Sequence, residues 1–295
     1  MRIYVIGARG QVARSLREAA AQRRDVVLRC GERPEVDLLR PASIARALHE
    51  FRPDIVINPA AYTAVDKAES EPDCAFALNR DGARAVAAAA AALGVPVIHF
   101  STDYVFDGTK DGAYVETDPV NPRSVYGKSK REGELAVAAA NPRHIVLRTS
   151  WVYAPFGINF VRTMLRLAAE CDSLRVVDDQ TGCPTYAPDI AMAVITIAKQ
   201  VMGQGWRPEF AGVTHLAGRD AVTWYAFAND IIRGAALRGG RSVSVSPIPS
   251  SDYPTLTARP ANSRLSTARL ASLFDVRLPP LRYSLADCLD LSFKA

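Results

Sequence analysis

Arg2-Ile3-Tyr4-Val5-Ile6-Gly7-Ala8-Arg9-Gly10-Gln11-Val12-Ala13, near the start of the 295-residue chain, reads as strand, glycine turn and helix in immediate succession. The apolar β-type run Arg2 to Ile6 gives way to a helical stretch from Gln11 to Gln22, and the glycines between them let the backbone approach a ligand closely. The amides at the start of that helix, with its dipole, suit a pyrophosphate. Gly7, Gly10, Gln11 and Val12 are therefore the candidate phosphate contacts, with Ala13 where a third glycine would pack helix on strand. A glycine pair also makes an ordinary turn; its place between a strand and a helix favours dinucleotide binding.

Working outward, β-type runs alternate with helical stretches through the first half, the pattern of a parallel sheet covered on both faces. Strands are expected at Val26 to Cys30, Ile55 to Asn58, Val97 to Ser101 and Ile145 to Thr149. Helices are expected at Pro41 to Phe51, at Pro72 to Leu93 as one long alanine-rich helix stopped by Gly94, and at Ser124 to Ala140. This predicts an α/β, Rossmann-type doubly wound domain over residues 1–150, joined by parts of 175–220. Beyond Trp151 the pattern loosens into helices at Phe160 to Glu170, Pro188 to Val201 and Trp224 to Leu237, a strand at Leu174 to Val177, and a proline-rich tail with a short helix. Residues 151–295 are expected to form a smaller substrate-binding lobe.

Where strand two ends, the chain reads Arg29-Cys30-Gly31-Glu32-Arg33. Arg29 there suits the extra phosphate of NADPH, while Glu32 leaves NADH open. Asp37 and Leu38 follow, placed to approach an adenine.

Composition narrows the class. The chain has 36 Lys and Arg against 31 Asp and Glu, a net charge of +5, but the basic residues are dispersed, which points to a small phosphorylated anion and not to nucleic acid. No apolar run approaches the ~20 residues of a membrane span, and the first strand starts without a signal-like segment, so a cytoplasmic protein without a membrane partner is expected. The five cysteines are scattered, giving neither a disulfide framework nor a zinc site. His49, His99, His144 and His215 read as core or surface residues and not as ligands or bases.

In Ser124-Val125-Tyr126-Gly127-Lys128-Ser129-Lys130 a phenol and an ammonium stand four residues apart, on one face of a helix. An adjacent cation favours phenolate and is expected to bring the phenol, ordinarily near ~10, toward the working range for proton transfer to a carbonyl oxygen. Taken alone, the spacing also fits an amphipathic surface pair.

The glycine loop, Asn58-Pro59-Ala60-Ala61-Tyr62-Thr63, Ser101-Thr102-Asp103-Tyr104-Val105-Phe106-Asp107-Gly108 and the Tyr126/Lys130 pair together resemble the extended short-chain dehydrogenase/reductases. Within that group, Ala64 to Glu69, Thr149 to Tyr153, Asp179 to Thr185 and Arg259 to Leu265 are similar to the dTDP-4-dehydrorhamnose reductase family, a resemblance running from residue 1 to about residue 275. It implies NADPH-linked reduction of a 4-keto nucleotide sugar to dTDP-L-rhamnose, with a catalytic set on Thr102, Tyr126 and Lys130. Thr102 would hydrogen-bond the carbonyl oxygen, Tyr126 would protonate it, and Lys130 would hold the nicotinamide ribose and tune the phenol. The resemblance also implies that Ala60, Ala61 and Thr63 line the nicotinamide side, that Asp103, Tyr104 and Trp151 meet the sugar or base, and that Arg259 contacts the diphosphate. Asn159, Thr185 and Asn262 are polar in the same strings and serve equally well as turn residues.

Some family members are described as magnesium-bridged dimers. Ser15 stands where a bridging glutamate would align, and Asp189 and Asp290 only loosely fill the other places, so no metal ligands are assigned, a weak Mg2+ effect stays open, and a monomer or weak homodimer is expected. Two rival readings stand: a reductase of another nucleotide-linked 4-ketosugar, and a non-catalytic dinucleotide-binding subunit resembling the regulator of methionine adenosyltransferase.

Overall fold

The computed structural model describes residues 1–294. The first half of the chain forms β1 (Arg2–Ile6), α1 (Gln11–Ala21), β2 (Val27–Gly31), α2 (Pro41–Phe51), β3 (Ile55–Asn58), α3 (Val65–Ala68), α4 (Pro72–Phe76), α5 (Ala83–Ala92), β4 (Val97–Thr102), α6 (Val125–Ala140) and β5 (His144–Thr149). The second half adds β6 (Val152–Tyr153), α7 (Phe160–Glu170), β7 (Ser173–Val177), β8 (Thr181–Gly182), β9 (Thr185–Tyr186), α8 (Ala187–Gln204), β10 (Gly212–His215), β11 (Val222–Thr223), α9 (Trp224–Ala236), β12 (Ser244–Ile248), β13 (Asn262–Ser263), α10 (Ala268–Phe274) and α11 (Leu281–Phe293).

The central sheet runs β10-β5-β4-β3-β1-β2, and every pairing in it is parallel. Strand alternation divides the core in two. Ile3, Val5, Ile55, Ile57, Ile98 and Leu147 face α1, α8 and α10, while Tyr4, Ile6, Val56, Val97 and Val146 face α2, α5 and α6. Both faces are thus covered by helices, which makes this a Rossmann-type doubly wound sheet. A third core, built from α7, α9, α11 and β7 around Val161, Leu174, Phe227, Ile231 and Leu289, holds the second lobe together.

The order reverses between β1 and β3, because the chain leaves β1 for β2 on one side and returns to β3 on the other. Ligands of open α/β sheets bind at the carboxyl ends of the strands at such a switch point. Here those ends carry Gly7 and the Asn58–Thr63 segment.

Besides several short strands and the one-turn helix α3, three features differ from expectation. The sheet's sixth strand, β10, lies more than sixty residues beyond β5 and is only four residues long, too short to declare itself by periodicity. The tail holds two helices, α10 and the longer α11, where one short helix was expected. The expected unbroken helix from Pro72 to Leu93 is interrupted by a π-helical segment, Ala77–Gly82. The chain packs tightly there: a Cβ on Gly82 would lie 2.8 Å from the Cβ of Leu38 in the loop before α2, and one on Gly133 of α6 would strike the Asn79 carbonyl oxygen.

Candidate active site

Gly7 adopts φ +92°, a left-handed conformation that side chains disfavour, and its N–H donates to the Gly31 carbonyl at 2.7 Å, tying the ends of β1 and β2 together. Gly10 is the extended N-cap of α1; no side chain caps the helix, and a Cβ at Gly10 would meet nothing within 4 Å. The first-turn amides of α1 are thus left to an anion, and a dinucleotide pyrophosphate fits the donor set. Gln11 is also committed elsewhere. Its carboxamide oxygen accepts from Asn159 Nδ2 at 2.9 Å, and Asn159 in turn caps α7 by accepting from the Arg162 amide. Asn159 therefore links the phosphate loop to the second lobe and donates further to the Ala154 and Phe156 carbonyls.

Strand β2 runs to Gly31, so Glu32 is the first residue past its end, and it is paired with Arg9 of the glycine loop at 2.8 Å. Arg29, on the exposed side of β2, lies 4.0 Å from Glu35. Asp37 accepts from the Leu39 amide and pairs with Arg40, while Leu38 packs over Gly82. Ala60, Ala61 and Thr63 follow β3, and the segment is clamped from the π-helical turn. Asn79, 1% exposed, accepts from the Tyr62 amide at 2.8 Å, donates to the Tyr62 carbonyl at 3.1 Å and donates to Ser129 Oγ at 2.9 Å. Ser129 donates to the Tyr126 carbonyl, which joins this segment to α6.

Ser124 caps α6 by accepting from the Gly127 amide, placing Tyr126 in the first turn and Lys130 one turn on. Gly127 is required by the close approach of the Tyr104 carbonyl, which a Cβ would reach at 2.2 Å. Tyr126 packs edge-on against Tyr104, their centroids 5.6 Å apart. Thr102 ends β4, donates to Asp103 Oδ1 at 2.9 Å and accepts from the Tyr104 amide. Thr102, Tyr126 and Lys130 are all buried.

The electrostatics correct one expectation. Burial pushes the Tyr126 phenol above its ordinary range, with the neighbouring Thr102 hydroxyl as the opposing influence. Lys130 does not pull it down. The ammonium donates instead to the Phe100 carbonyl and faces His99 Nε2 at 3.5 Å, and burial lowers Lys130 to about 8, against the pull of Glu134. Tyr126 thus holds its proton at neutral pH and is equipped as a donor. Asp103 is raised to about 6 by burial, while hydrogen bonds from Ser263 and Thr102 favour its charged form.

Beside these groups lies a cavity of about 180 Å³, lined by Asp103, Tyr104, Trp151, Trp224, Arg259 and Ser263 among others. Trp151 holds φ +48°, unusual for a bulky residue and characteristic of functional sites, and its indole stacks on Trp224 with centroids 3.4 Å apart and planes 6° from parallel. The stack offers a flat apolar wall for a base or sugar ring. Arg259, part of the lining, pairs with Asp66 at 3.2 Å. Asn159 is not in the lining. Thr185 donates to the Cys183 carbonyl, and Asn262 to the Lys110 and Gly112 carbonyls, both as turn and loop ties. Trp224, Gln180, Pro260 and Ser263 were missed as candidate lining; Gln180, Pro260 and Ser263 lie inside the strings that carried the resemblance, and Trp224 showed itself only as a helix start.

Gly182 makes room for the stack, since a Cβ there would fall 2.3 Å from Trp151 Cε2. Gly182→Ala is expected to raise KM for a nucleotide-sugar substrate about tenfold, on the scale of one displaced aromatic contact, while leaving NADPH affinity unchanged. Titration of both ligands checks this, and an unaltered KM would show that the indole wall does not meet substrate.

Ser15 is buried in α1, Asp189 accepts from Ser284, and Asp290 pairs with Arg238. Among the described residues no three His, Cys, Asp or Glu side chains gather in an arrangement that could hold a metal ion, nor is any helix long and apolar enough to cross a membrane.

Comparison with known proteins gives a consistent picture. Residues 1–293 match the RmlD substrate binding domain family. A dTDP-4-dehydrorhamnose reductase of Sinorhizobium fredii is 51% identical over 279 residues, covering 95% of this chain and 93% of its own. A crystal structure of a dTDP-4-dehydrorhamnose reductase from Clostridium acetobutylicum superposes with TM-score 0.89 at 34% identity, over 99% of each chain. Another, from Bacillus anthracis in complex with NADP, does so with TM-score 0.87 at 31% identity, over 98% of each.

Proposed function

The chain belongs to the RmlD substrate binding domain family, that of the dTDP-4-dehydrorhamnose reductases, and from that premise we propose that it reduces the 4-keto group of dTDP-4-dehydro-6-deoxy-L-mannose to give dTDP-L-rhamnose, using NADPH. The observation that carries the reading is that Thr102, at the carboxyl end of β4, and Tyr126, one helical turn from Lys130 on α6, contact Asp103 and Tyr104 of a cavity walled by stacked indoles. The cofactor lobe comprises residues 1–150 with α8, β10 and α10, and most of the remainder forms the substrate lobe. The enzyme is proposed to act in the cytoplasm as a monomer or weak homodimer.

When bound, the reduced nicotinamide supplies the hydride that the carbonyl carbon takes up. The protein's own residues do the rest. The α1 amides and Gly7 hold the pyrophosphate, Ala60, Ala61 and Thr63 leave room beside the ring, and Lys130 holds the ribose. The Trp151–Trp224 wall and Arg259 orient the nucleotide sugar, the guanidinium exchanging Asp66 for diphosphate oxygens. Tyr126 transfers its phenolic proton to the sugar O4 as negative charge develops there, and Thr102 steadies that oxygen by hydrogen bonding. Because the phenol is raised by burial, it enters the reaction protonated across the neutral range.

The test is NADPH oxidation by purified protein supplied with enzymatically generated keto-sugar, with the product identified by NMR. Steady consumption with formation of dTDP-L-rhamnose is expected. Binding of NADPH without consumption would overturn the reading in favour of a dinucleotide-binding regulator, and consumption with a different epimer formed would identify another 4-ketosugar reductase.

The choice of NADPH rests on Arg29 as reader of the 2′-phosphate. Arg29→Asp is expected to lower the kcat/KM preference for NADPH over NADH about tenfold, the worth of one charge-assisted contact. Unchanged discrimination there, with a drop in Arg9→Asp, would transfer that role to the glycine loop.

A further inference from the structure

Lys130 is 2% exposed, yet among the described residues no carboxylate lies within ion-pairing distance of its ammonium. An ammonium has three N–H donors and no acceptor, and a buried one needs lone pairs around it. The Phe100 carbonyl supplies one. The other protein atom it faces is Nε2 of His99, at 3.5 Å. His99 is 1% exposed and stands on β4 directly opposite Asn58 of β3 in the strand register, and the two side chains meet at Nδ1, 3.1 Å from Nδ2 of the amide. Gly133 lets α6 come down onto this pair; a Cβ there would lie 3.8 Å from His99 Nε2 and would strike the Asn79 carbonyl.

Hydrogen-bond arithmetic fixes the state of the ring. A donor-only ammonium at Nε2 requires the lone pair on Nε2, and the ring proton must then sit on Nδ1, where it needs an acceptor. The Asn58 amide oxygen is buried and has no partner. A half-turn of that amide brings its oxygen to Nδ1 and gives the ring N–H its acceptor, since the two ends of a carboxamide are nearly the same shape.

We propose that His99 is a positioning residue for Lys130: a neutral imidazole, held in one tautomer by Asn58, that fixes the ammonium through its Nε2 lone pair and leaves the third N–H for the cofactor ribose. The inference rests on the reading of Lys130 as the ribose-holding cation. The charged and titratable groups that act on the ammonium are His99 from β4 and Glu134 from α6, with Glu134 committed to Arg148 and Arg131. Burial and the Lys130 charge both keep His99 neutral. Since Lys130 stands at about 8, removal of its acceptor should lower it further.

His99→Phe keeps a ring and removes the acceptor, while His99→Gln restores a lone pair on a side chain of similar reach. In His99→Phe the NADPH Kd is expected to rise about tenfold, the scale of one charge-assisted hydrogen bond, and the alkaline limb of the kcat pH profile to move down by about one unit. His99→Gln is expected to recover most of both. A merely structural role would reduce the amount of folded protein without moving the limb. An unmoved limb and unchanged Kd in His99→Phe, alongside a Lys130→Met variant that has lost NADPH affinity, would overturn this inference alone. Full NADPH affinity and turnover in Lys130→Met would instead overturn the reading on which it rests. If His99→Phe does not fold, Asn58→Leu, which removes the amide that sets the tautomer, carries the same test: a lowered alkaline limb is expected there, and a wild-type limb contradicts the proposal.

Discussion

Tyr126→Phe is expected to lose about three orders of magnitude in kcat while NADPH affinity stays within about twofold of wild type, the range associated with loss of one positioned general acid. The hydroxyl is the only atom removed. The ring keeps its edge-on contact with Tyr104 and its place in the first turn of α6, so folding and the cofactor cradle are untouched. Thr102 can hydrogen-bond the developing alkoxide but has a single proton, which it already shares with Asp103, and it cannot replace the phenol as donor. Single-turnover measurement with bound NADPH separates the chemical step from product release. Wild-type single-turnover rates would show that the proton comes from elsewhere, with Asp103, raised to about 6 and facing the cavity, as the next donor to examine.

Glu134→Ala is expected to cost about 3–5 kcal/mol of folding stability, because it leaves a buried guanidinium without its counter-charge. Glu134 and Arg148 are each 1% exposed and meet through two hydrogen bonds of 2.7 and 2.8 Å, and the Arg148 guanidinium also lies over the Phe106 ring. Water cannot reach the site to replace the carboxylate. Arg148→Met on the Glu134→Ala background should recover much of the loss, since an apolar replacement of the whole pair leaves no stranded charge. Arg131, the more exposed partner of the same carboxylate, should matter much less. Urea unfolding followed by circular dichroism checks all three. A loss below about 1 kcal/mol in Glu134→Ala would mean that the pair is not desolvated as the packing indicates.

Four of the sheet's first five strands, β1, β3, β4 and β5, were legible because burial on both faces writes nearly continuous apolar runs, bounded here by glycine and proline, whereas β2 is a half-exposed edge strand that showed itself by its β-type residues. The boundaries of α2, β3 and α7 matched their sequence signals, Pro41 opening α2 at its first position. What stayed hidden depends on contacts between distant segments. The π-helical turn at Ala77–Gly82 is made of residues that suit an ordinary helix; Asn79 is turned inward by Tyr62 and Ser129, which lie 17 residues before and 50 after it. Trp224 became part of the cavity wall only because Gly182, in another strand, leaves space for Trp151 to lie flat. The resting acidity of Tyr126 was unreadable for a similar reason. Helical spacing puts Lys130 on the same face, but it does not show that the ammonium is already claimed by β4.

The proposal stands or falls on where the Tyr126 hydroxyl lies relative to the reacting sugar. A crystal structure of the protein with NADP+ and dTDP-L-rhamnose measures that directly. The phenolic oxygen is predicted within about 3 Å of the sugar O4, with C4 facing the nicotinamide and the ring of the base or sugar against the Trp151–Trp224 wall. A ternary complex with O4 directed away from Tyr126, or with the sugar outside the cavity lined by Asp103 and Tyr104, would contradict it.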